Sequence, residues 1–596
     1  MIQVVVKGVL VQQDENKIMK NTIKQLIEKA LTEKVDFVVE HPADLKFGDY
    51  STNVALILAQ KNKGNPRQIA EEILAKLNES KNEEIEKIEI AGPGFINFFL
   101  SRSFFKKSVQ QVLNGEIHYG RNKDLAGKNI IVEFTDPNPF KPLHIGHLMS
   151  NSIGESIARI LEWNGATVTR VCYQGDVGLH VAKALWGIKQ NISEMPKDSA
   201  TIVEKTDYLG KVYAFGASKY EEDETAKAEI NEINKKVYYL FDEQKQNDDP
   251  EIKALYDKGR EWSLWHFNDM YEKLGSTFAQ LIFEHEMAKS GSEIVRTNIP
   301  NVFELSDGAI VYHGEKDGLH TRVFITSAGL PAYEAKDIGL AYYKEDVLQK
   351  KFGKFDASII VTASEQKEYY KVILAALKKL RPEISSKTLH ITHGMMRFAE
   401  GKMSSRKGNV ITGDSLLQEI EETVAEKIKD RNFGEQDAAD VKTIISVGAL
   451  KYSILKQAIG RDIIFDKDAA VSFEGDSGPY LQYTYVRTKS IIDSAKEKEI
   501  EFVETTEPEG WQTTNIEKLL YRFPEEVKNA YSGGLSPQDI TTLLTKICSE
   551  FNSFYAQNMI LDGGPNEAYK VAITKAVMHV IQNGLKVLGI KVPSRM

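Results

Sequence analysis

Residues 129–163 read NIIVEFTDPNPFKPLHIGHLMSNSIGESIARILEW, and this stretch decides the fold. Its first six residues form a short apolar run before a proline-rich turn, which predicts a buried β-strand. Apolar residues at helical spacing then predict a helix over 145–163. A second apolar segment at 167–173 predicts the next strand. Because strand, helix and strand follow one another, we expect a parallel sheet.

Farther along the chain, the alternation of strands and helices returns after an interruption. Residues 190–300 are charged, helical in pattern and poor in strand signals, which indicates an insertion. The sequence then predicts strands at 309–313, 357–362 and 388–393 and helices at 333–349 and 365–380. We therefore predict that residues 119–434 form one doubly wound, Rossmann-like parallel-sheet domain with a helical insertion at about 190–300.

Two smaller modules flank this domain. The sequence predicts helices at 21–31, 53–60 and 66–77, a strand pair around the turn at 92–94, and a short first strand at 2–6. Together they indicate a small α/β module at 1–118. Residues 435–596 show helical periodicity and almost no strand signal, which predicts an all-α domain. The whole chain is thus predicted to be a multidomain α/β protein.

Composition excludes several classes of protein. The 596 residues are 42% hydrophobic and 27% charged, the balance of a globular protein with several cores. Only Cys172 and Cys548 occur, which excludes a disulfide framework and a cysteine-rich zinc site and favours a cytoplasmic location. No apolar run reaches about 18 residues, so no transmembrane helix is expected. A net charge of −9 still allows a local basic surface to bind nucleic acid.

Two histidines at the start of the predicted helix give the strongest functional signal. Open α/β sheets bind ligands at the carboxyl ends of their strands, and a helix N-terminus there offers free N–H groups to phosphates. Gly146, which has no side chain, lets a nucleotide approach the backbone. His144 and His147 lie one helical turn apart and could hydrogen-bond a phosphate whose charge grows in the transition state. A chance pair of histidines is the alternative.

A second signal is the loop GKMSSRKG at 401–408, which follows the last predicted strand of the same domain. It is basic, rich in hydroxyls and bounded by glycines. Such a loop can close over a triphosphate and neutralise the leaving pyrophosphate. A solvated surface turn is the alternative, because charge runs usually lie in solvent.

These two stretches are the HIGH and KMSKS signatures of class I aminoacyl-tRNA synthetases, and the surrounding sequence resembles the arginyl-tRNA synthetase family over nearly the whole chain. The segments that carry the resemblance are GPGFIN at 92–97, EFTDPNPFKPL at 133–143, AYEAKDI at 332–338, EQ at 365–366, GALKY at 448–452, FEG at 473–475 and GPYLQY at 478–483. The resemblance implies a ligase that joins arginine to tRNA-Arg at the expense of ATP, with Mg²⁺ bound to the ATP rather than to a metal site of the protein.

The resemblance also assigns the nucleotide site. It implies that His144, His147, Lys141 and Lys402 are catalytic, and that Gly146, Met403 and Ser404 complete the ATP pocket. Ser405 stands where KMSKS usually has its second lysine, and the resemblance implies that Lys141, just before HIGH, compensates for this loss.

The arginine pocket follows from the residues and from the resemblance together. A guanidinium is always charged and presents planar donors that match carboxylates, and Asp337 and Glu133 are the acids placed to meet it. Tyr333 lies one helical turn from Asp337. The family implies that Asn138 and Gln366 hold the α-amino end. Asp337 could instead pair with neighbouring residues, and Tyr333 could belong to the core.

Two positions depart from the family pattern. Val177 stands where many relatives have tryptophan, and Tyr369 where many have histidine. We expect neither to touch the chemistry, although both could alter the shape of the pocket.

For tRNA, the resemblance implies that the N-terminal module reads the D-loop and the helical domain the anticodon. Phe95 and Asn97 are candidates for the first contact, with core packing equally open. Tyr480, Tyr483 and Tyr485 are candidates for the second, although packing is favoured for them. The family also implies a monomer, in which arginine activation requires bound tRNA.

Two rival interpretations remain at this point. Another class I synthetase, of the cysteinyl or glutaminyl type, is disfavoured by the absence of a cysteine cluster and by the Tyr333–Asp337 pair. A tRNA-binding protein without catalysis is disfavoured by the intact His144, His147 and Lys402.

Overall fold

A computed structural model describes residues 19–80, 82–242, 249–398, 411–429, 434–500 and 508–596. Two predictions lie outside the described residues. They are the first strand at 2–6 and the loop at 401–408, which contains Lys402, Met403 and Ser404.

The N-terminal module is a four-stranded sheet covered by helices. Its strands are β1 (Val39–Glu40), β2 (Tyr50–Thr52), β3 (Ile85–Ala91) and β4 (Phe95–Leu100), all antiparallel in the order β1-β2-β4-β3. Its helices are α1 (Met19–Ala30), α2 (Val54–Asn62), α3 (Pro66–Glu79) and α4 (Arg102–Gly115). Pro66 starts α3, and the Asn65 side chain accepts a hydrogen bond from the Arg67 N–H. The predicted helices and the strand pair are confirmed.

The central domain is built on a five-stranded parallel sheet, as predicted. The strands are β5 (Asn129–Glu133), β6 (Thr167–Gln174), β7 (Gln280–Phe283), β11 (Ala357–Ala363) and β12 (Thr388–His393). Their order is β12-β11-β5-β6-β7, so the chain extends to one side of β5 and later returns to the other. The strand order therefore reverses beside β5, and a ligand crevice is expected at the carboxyl ends of β5 and β11.

Helices cover both faces of this sheet and form the insertion. They are α5 (Ile145–Trp163), α6 (Leu179–Gln190), α7 (Ile202–Glu222), α8 (Glu224–Tyr239), α9 (Pro250–Leu274), α10 (Glu284–Thr297), α11 (Tyr333–Tyr343), α12 (Gln349–Phe352), α13 (Lys367–Leu380), α14 (Pro382–Lys387) and α15 (Gly413–Ile428). A π-helical turn, Lys344–Leu348, joins α11 to α12. The bounds of α5 agree with the sequence prediction.

Three strand predictions are corrected by the structure. β7 lies inside the segment that we expected to be strand-poor, because four residues are too short to give a periodic signal. The predicted strand at 309–313 is β9 (Ala309–Tyr312), but it pairs with β8 (Glu304–Ser306) and β10 (Arg322–Ile325) in a separate antiparallel sheet. β14 (Ile463–Phe465) interrupts the predicted all-α region and pairs with β13 (Met396–Phe398). A strand pattern does not reveal the pairing partner.

The C-terminal part is otherwise helical. Its helices are α16 (Glu435–Leu455), α17 (Lys467–Ala470), α18 (Gly478–Glu497), α19 (Asn515–Leu520), α20 (Phe523–Ser532), α21 (Pro537–Gln557) and α22 (Glu567–Val587). Among the described residues, no helix combines the length and the apolar character that crossing a bilayer requires.

The end of α22 docks onto α5. The Arg159 guanidinium donates to the Lys586 carbonyl at 3.0 Å, and the ammonium of Lys451 in α16 donates to the Gly589 carbonyl at 2.9 Å. Cations at a helix C-terminus satisfy its free carbonyls and its dipole. The helix that starts at the histidine pair is thereby fixed to the C-terminal domain.

Glycines allow α10 and α11 to touch backbone to backbone. A Cβ atom at Gly291 would lie 2.0 Å from the Ala335 carbonyl oxygen, and one at Gly339 would lie 2.7 Å from the Met287 carbonyl oxygen. Neither position has room for a side chain. This contact fixes α11, which carries Tyr333 and Asp337, against α10, which starts directly after β7.

Candidate active site

The two histidines stack at the start of α5. Their ring centroids lie 3.6 Å apart, and the His144 N–H donates to His147 Nδ1 at 3.1 Å. Because Nδ1 of His147 accepts, its Nε2 carries the proton and is free to donate to a ligand. Gly146 lies beneath the His144 ring, since a Cβ there would be 2.9 Å from His144 Nδ1. The structure thus brings these three residues together.

Both imidazoles are neutral at pH 7. Burial lowers the pKa of His147 well below its usual range, and His144 and Lys141 lower it further. Partial burial and Lys141 likewise lower the pKa of His144. His393, at the end of β12, also contributes to both shifts. The sequence had not identified this third imidazole. Neutral imidazoles act here as hydrogen-bond donors rather than as fixed cations.

The loop between β5 and α5 is strained and held by buried polar groups. Thr135, Asp136 and Phe140 have φ angles of 81°, 47° and 68°, which residues other than glycine rarely adopt. Ser150 Oγ accepts from the Thr135 N–H at 3.0 Å and donates to the Val361 carbonyl at 2.8 Å, so it joins the ends of β5 and β11. Such strain clusters at functional sites, where the surrounding structure maintains it.

The segment after the basic loop also reaches the histidines. The Gly413 N–H donates to the Leu143 carbonyl at 2.7 Å, and Thr412 forms a β-bridge with His144. The His266 ring in α9 contacts the Asp414 carboxylate at 3.1 Å. The described chain stops at Phe398 in β13 and resumes at Ile411, one residue before the bridge to His144. Lys402, Met403 and Ser404 belong to the intervening sequence, outside the described residues.

Lys141 lies at the mouth of this site. Its ammonium is 4.9 Å from the centroid of the Tyr213 ring in α7. Its positive charge is near enough to lower the pKa values of both His144 and His147. The phosphate contact of Lys141 stays a prediction.

Asp337 is a half-buried acid on α11. Its Oδ2 accepts a hydrogen bond from the Tyr369 hydroxyl at 2.7 Å. Burial raises the pKa of Asp337 to about 8, and the nearby carboxylates of Glu133 and Glu284 act in the same direction. Tyr369, which we expected to lie away from the chemistry, therefore contacts the predicted substrate acid. The departure from histidine places a hydroxyl donor directly on the predicted substrate acid.

Glu133, the last residue of β5, is buried and already has a cationic partner. The Lys344 ammonium forms an ion pair with its Oε2, and both side chains are almost fully enclosed. The sequence analysis did not identify Lys344. Its position seven residues after Asp337, on the same helical face, was the available signal.

A second buried ion pair borders the same region. Lys336 pairs with Glu284, the first residue of α10, and both side chains are buried. The Tyr333 ring lies 4.3 Å below the Lys336 ammonium and is 51% exposed, so the core alternative for Tyr333 is wrong. Glu284 and Lys336 lie 52 positions apart in the chain, so no local pattern indicates this pair.

Asn138 and Gln366, the two residues expected to hold the α-amino group of arginine, lie in different environments. Asn138 Oδ1 lies against Gly175, where a Cβ would be 2.2 Å away, and a carboxylate oxygen of Glu284 borders the same position. Asn138 therefore lies close to Glu284. Gln366 is exposed at the N-terminus of α13. Val177 is fully buried in the core formed by α6, α7 and α8.

The candidate tRNA residues of the N-terminal module lie on β4. Asn97 has 3% of its surface exposed, and its Oδ1 accepts from Ser51 Oγ at 2.7 Å. Phe95 is half-buried. The burial of Asn97 favours the packing alternative that the sequence left open.

Three family models match consecutive parts of the chain. The model "tRNA synthetases class I (R), catalytic domain" matches residues 108–467, more than half of the chain. The "Arginyl tRNA synthetase N terminal domain" matches residues 17–100, and the "DALR anticodon binding domain" matches residues 481–596.

Known proteins are similar over almost the full length. An arginine–tRNA ligase of Clostridium perfringens is 29% identical over 594 residues, which cover 98% of this chain and 100% of that protein. One of Pediococcus pentosaceus is 30% identical over 567 residues, 94% of this chain and 95% of that protein. The solved arginyl-tRNA synthetase of Thermus thermophilus shares the fold with a TM-score of 0.76 at 21% identity, and covers 97% of this chain and 100% of its own.

Proposed function

The chain belongs to the arginine-specific class I tRNA synthetases, and on that premise we propose that it joins L-arginine to tRNA-Arg in two steps. First, the arginine carboxylate attacks the α-phosphorus of ATP, which forms arginyl-adenylate and releases pyrophosphate. Second, a hydroxyl of the terminal adenosine of tRNA, the 2′ hydroxyl by class resemblance, attacks the arginyl carbonyl and releases AMP. No side chain acts as a nucleophile, so positioning and charge stabilisation carry the reaction.

The stacked histidines support the nucleotide site most directly. The Nε2–H of His147 is available to donate to a phosphate oxygen at the N-terminus of α5, where free backbone N–H groups add to the attraction. Lys141 and Lys402 would bind the phosphates from either side, and Met403 and Ser404 would complete the pocket. Mg²⁺ would accompany the triphosphate, whose oxygens are ligands that the ion prefers.

The acids at the strand ends support arginine as the substrate. Asp337 and Glu133 would meet the guanidinium, and Tyr333 would flank it at the exposed end of α11. Asn138 and Gln366 would hold the α-amino group. Lysine lacks the planar set of donors that a guanidinium has, so its binding would leave buried carboxylate oxygens unpaired. Unpaired buried acceptors reduce binding of the wrong substrate more than a missing methylene group does.

An aromatic groove between α18 and α21 supports an anticodon contact. The Arg487 guanidinium lies 4.7 Å from the Tyr483 ring and 5.0 Å from the Tyr555 ring, and Tyr555 is 40% exposed. Met559 and Met596 line the same groove. Exposed aromatic rings beside a guanidinium suit the stacking of an unpaired base. Tyr485 is buried in the core instead, whereas Tyr483 borders the groove.

If this groove holds an anticodon base, Tyr555→Ala is expected to raise the KM for tRNA about tenfold or more, because base stacking contributes roughly 1–3 kcal/mol. The KM for arginine at saturating tRNA should not change. Aminoacylation at varied tRNA concentration measures both constants. An unchanged KM for tRNA would place the anticodon elsewhere.

We propose further that the N-terminal module contacts the D-loop, with Phe95 a better candidate than the buried Asn97. The enzyme is expected to work as a cytosolic monomer, and sedimentation at the mass of one 67.1 kDa chain checks the monomer.

The first test of the reaction is ATP–pyrophosphate exchange. We expect exchange with arginine only when tRNA-Arg is present, as the family resemblance implies. His147→Ala should slow this exchange by about 10²–10³-fold, the usual effect of losing one donor to developing charge. Lysine in place of arginine is the negative control. Exchange that requires a different amino acid and ignores arginine would refute the proposal.

The raised pKa of Asp337 gives a second test. In the empty pocket this carboxyl is largely protonated below pH 8, and a guanidinium binds its ionised form. The KM for arginine should therefore fall as pH rises from 6.5 to 8.5, by up to about tenfold per pH unit. Asp337→Asn should raise the KM for arginine about 100-fold and abolish this fall.

The KM for ATP, measured in the same buffers, is the control for the pH experiment. Asp337→Asn leaves the ATP site intact, so this constant should stay within about twofold of the unmodified enzyme. An arginine KM that keeps its pH dependence in Asp337→Asn would assign the titration to another group.

A further inference from the structure

The predicted arginine pocket contains more carboxyl groups than one guanidinium can balance. Asp136 follows Glu133 by three residues at the end of β5. Burial raises the pKa of Asp136 well above its usual range, and the nearby Glu133 and Asp337 raise it further. The guanidinium of arginine carries a single positive charge. Burying several carboxylates around one cation is unfavourable unless some of them are neutralised.

The structure contains an internal cation for one of these acids. Lys344 is the first residue of the π-helical turn after α11, and its ammonium pairs with Glu133 Oε2. The side chains of Lys344 and Glu133 are 7% and 1% exposed. Water therefore cannot replace the lysine as a partner for the carboxylate.

The other acids near Glu133 have hydrogen-bond donors as partners instead of a lysine. Asp136 accepts a hydrogen bond from the Tyr173 N–H at 2.7 Å, and Asp337 accepts one from the Tyr369 hydroxyl. Both contacts come from neutral donors. Burial raises the pKa of Tyr370 well above the usual range, and Asp337 and Glu133 raise it further, so Tyr370 stays neutral. Lys344 is thus the cation that contacts Glu133 among the described residues.

We propose that Lys344 is a positioning residue for arginine recognition: it neutralises Glu133, so that Asp337 alone supplies the negative charge that balances the guanidinium. With Lys344 in place, Glu133 orients the ligand through hydrogen bonds, while Asp337 ionises when the guanidinium binds. This inference rests on the proposed function, because it assumes arginine in this pocket.

A charge-neutral double variant tests the inference. Glu133→Gln alone removes the carboxylate and leaves the Lys344 ammonium facing the guanidinium, so the KM for arginine should rise at least 100-fold. Adding Lys344→Met removes the repelling cation. The double variant should then recover at least tenfold in arginine KM relative to Glu133→Gln, with the KM for ATP changed by less than twofold.

Lys387 offers a matched control. It forms a similar ion pair with Glu345 and lines the same cavity as Lys344, but its ammonium also donates to the Phe355 carbonyl at 3.2 Å and does not contact Glu133. Lys387→Met added to Glu133→Gln should give no recovery in arginine KM. A merely structural role for Lys344 would make the two lysine substitutions equivalent.

Thermal unfolding provides a readout that does not need activity. Glu133→Gln should unfold at a lower temperature than the double variant, because it leaves a buried ammonium without its partner. An arginine KM for the double variant equal to or worse than that of Glu133→Gln would overturn the inference. So would failure of the double variant to fold. Absence of arginine-dependent exchange by the unmodified enzyme would instead refute the proposed function itself.

Discussion

Burial of carboxylates at the ends of parallel strands is the constraint on which the rest of this site depends. A carboxylate without water must find a cation, find a hydrogen-bond donor, or take up a proton. All three ways of stabilising a buried carboxylate occur in this site. Glu133 and Glu284 have lysines, Asp337 has a tyrosine hydroxyl, and burial raises the pKa of Asp337 to about 8. Each of these acids is therefore compensated before any ligand binds, and Asp337 is the one that a cationic ligand can ionise.

The backbone arrangement makes this concentration of acids possible. The strand order reverses beside β5, which brings the carboxyl ends of β5 and β11 to a common crevice. The glycine contact between α10 and α11 then brings Asp337 alongside these ends, and α5 presents its histidines at the same edge. Arg159 of α5 also donates to the end of α22, so the helix that begins at the histidine pair packs against the C-terminal domain.

Local sequence patterns predicted most of the helices and strands. They did not predict contacts between residues that are distant in the chain. The β5–α5–β6 unit followed from periodicity, and the HIGH motif from its place after a strand. β7 was missed because it has only four residues, and β9 was given to the wrong sheet because propensity carries no information about pairing. Lys344 could have been identified from the sequence, because helical spacing places it on the same helical face as Asp337. The Lys336–Glu284 pair and the Tyr369–Asp337 hydrogen bond depend on packing between separate elements, which no pattern in the sequence encodes.

A crystal structure of the protein with arginine and a non-hydrolysable ATP analogue would show whether both ligands share this crevice. Guanidinium nitrogens are expected at about 2.7–3.1 Å from carboxylate oxygens of both Asp337 and Glu133. An α-phosphate is also expected within hydrogen-bonding distance of His147 Nε2, next to the arginine carboxylate. A guanidinium bound away from these two acids, or a nucleotide in a separate cleft, would contradict the account.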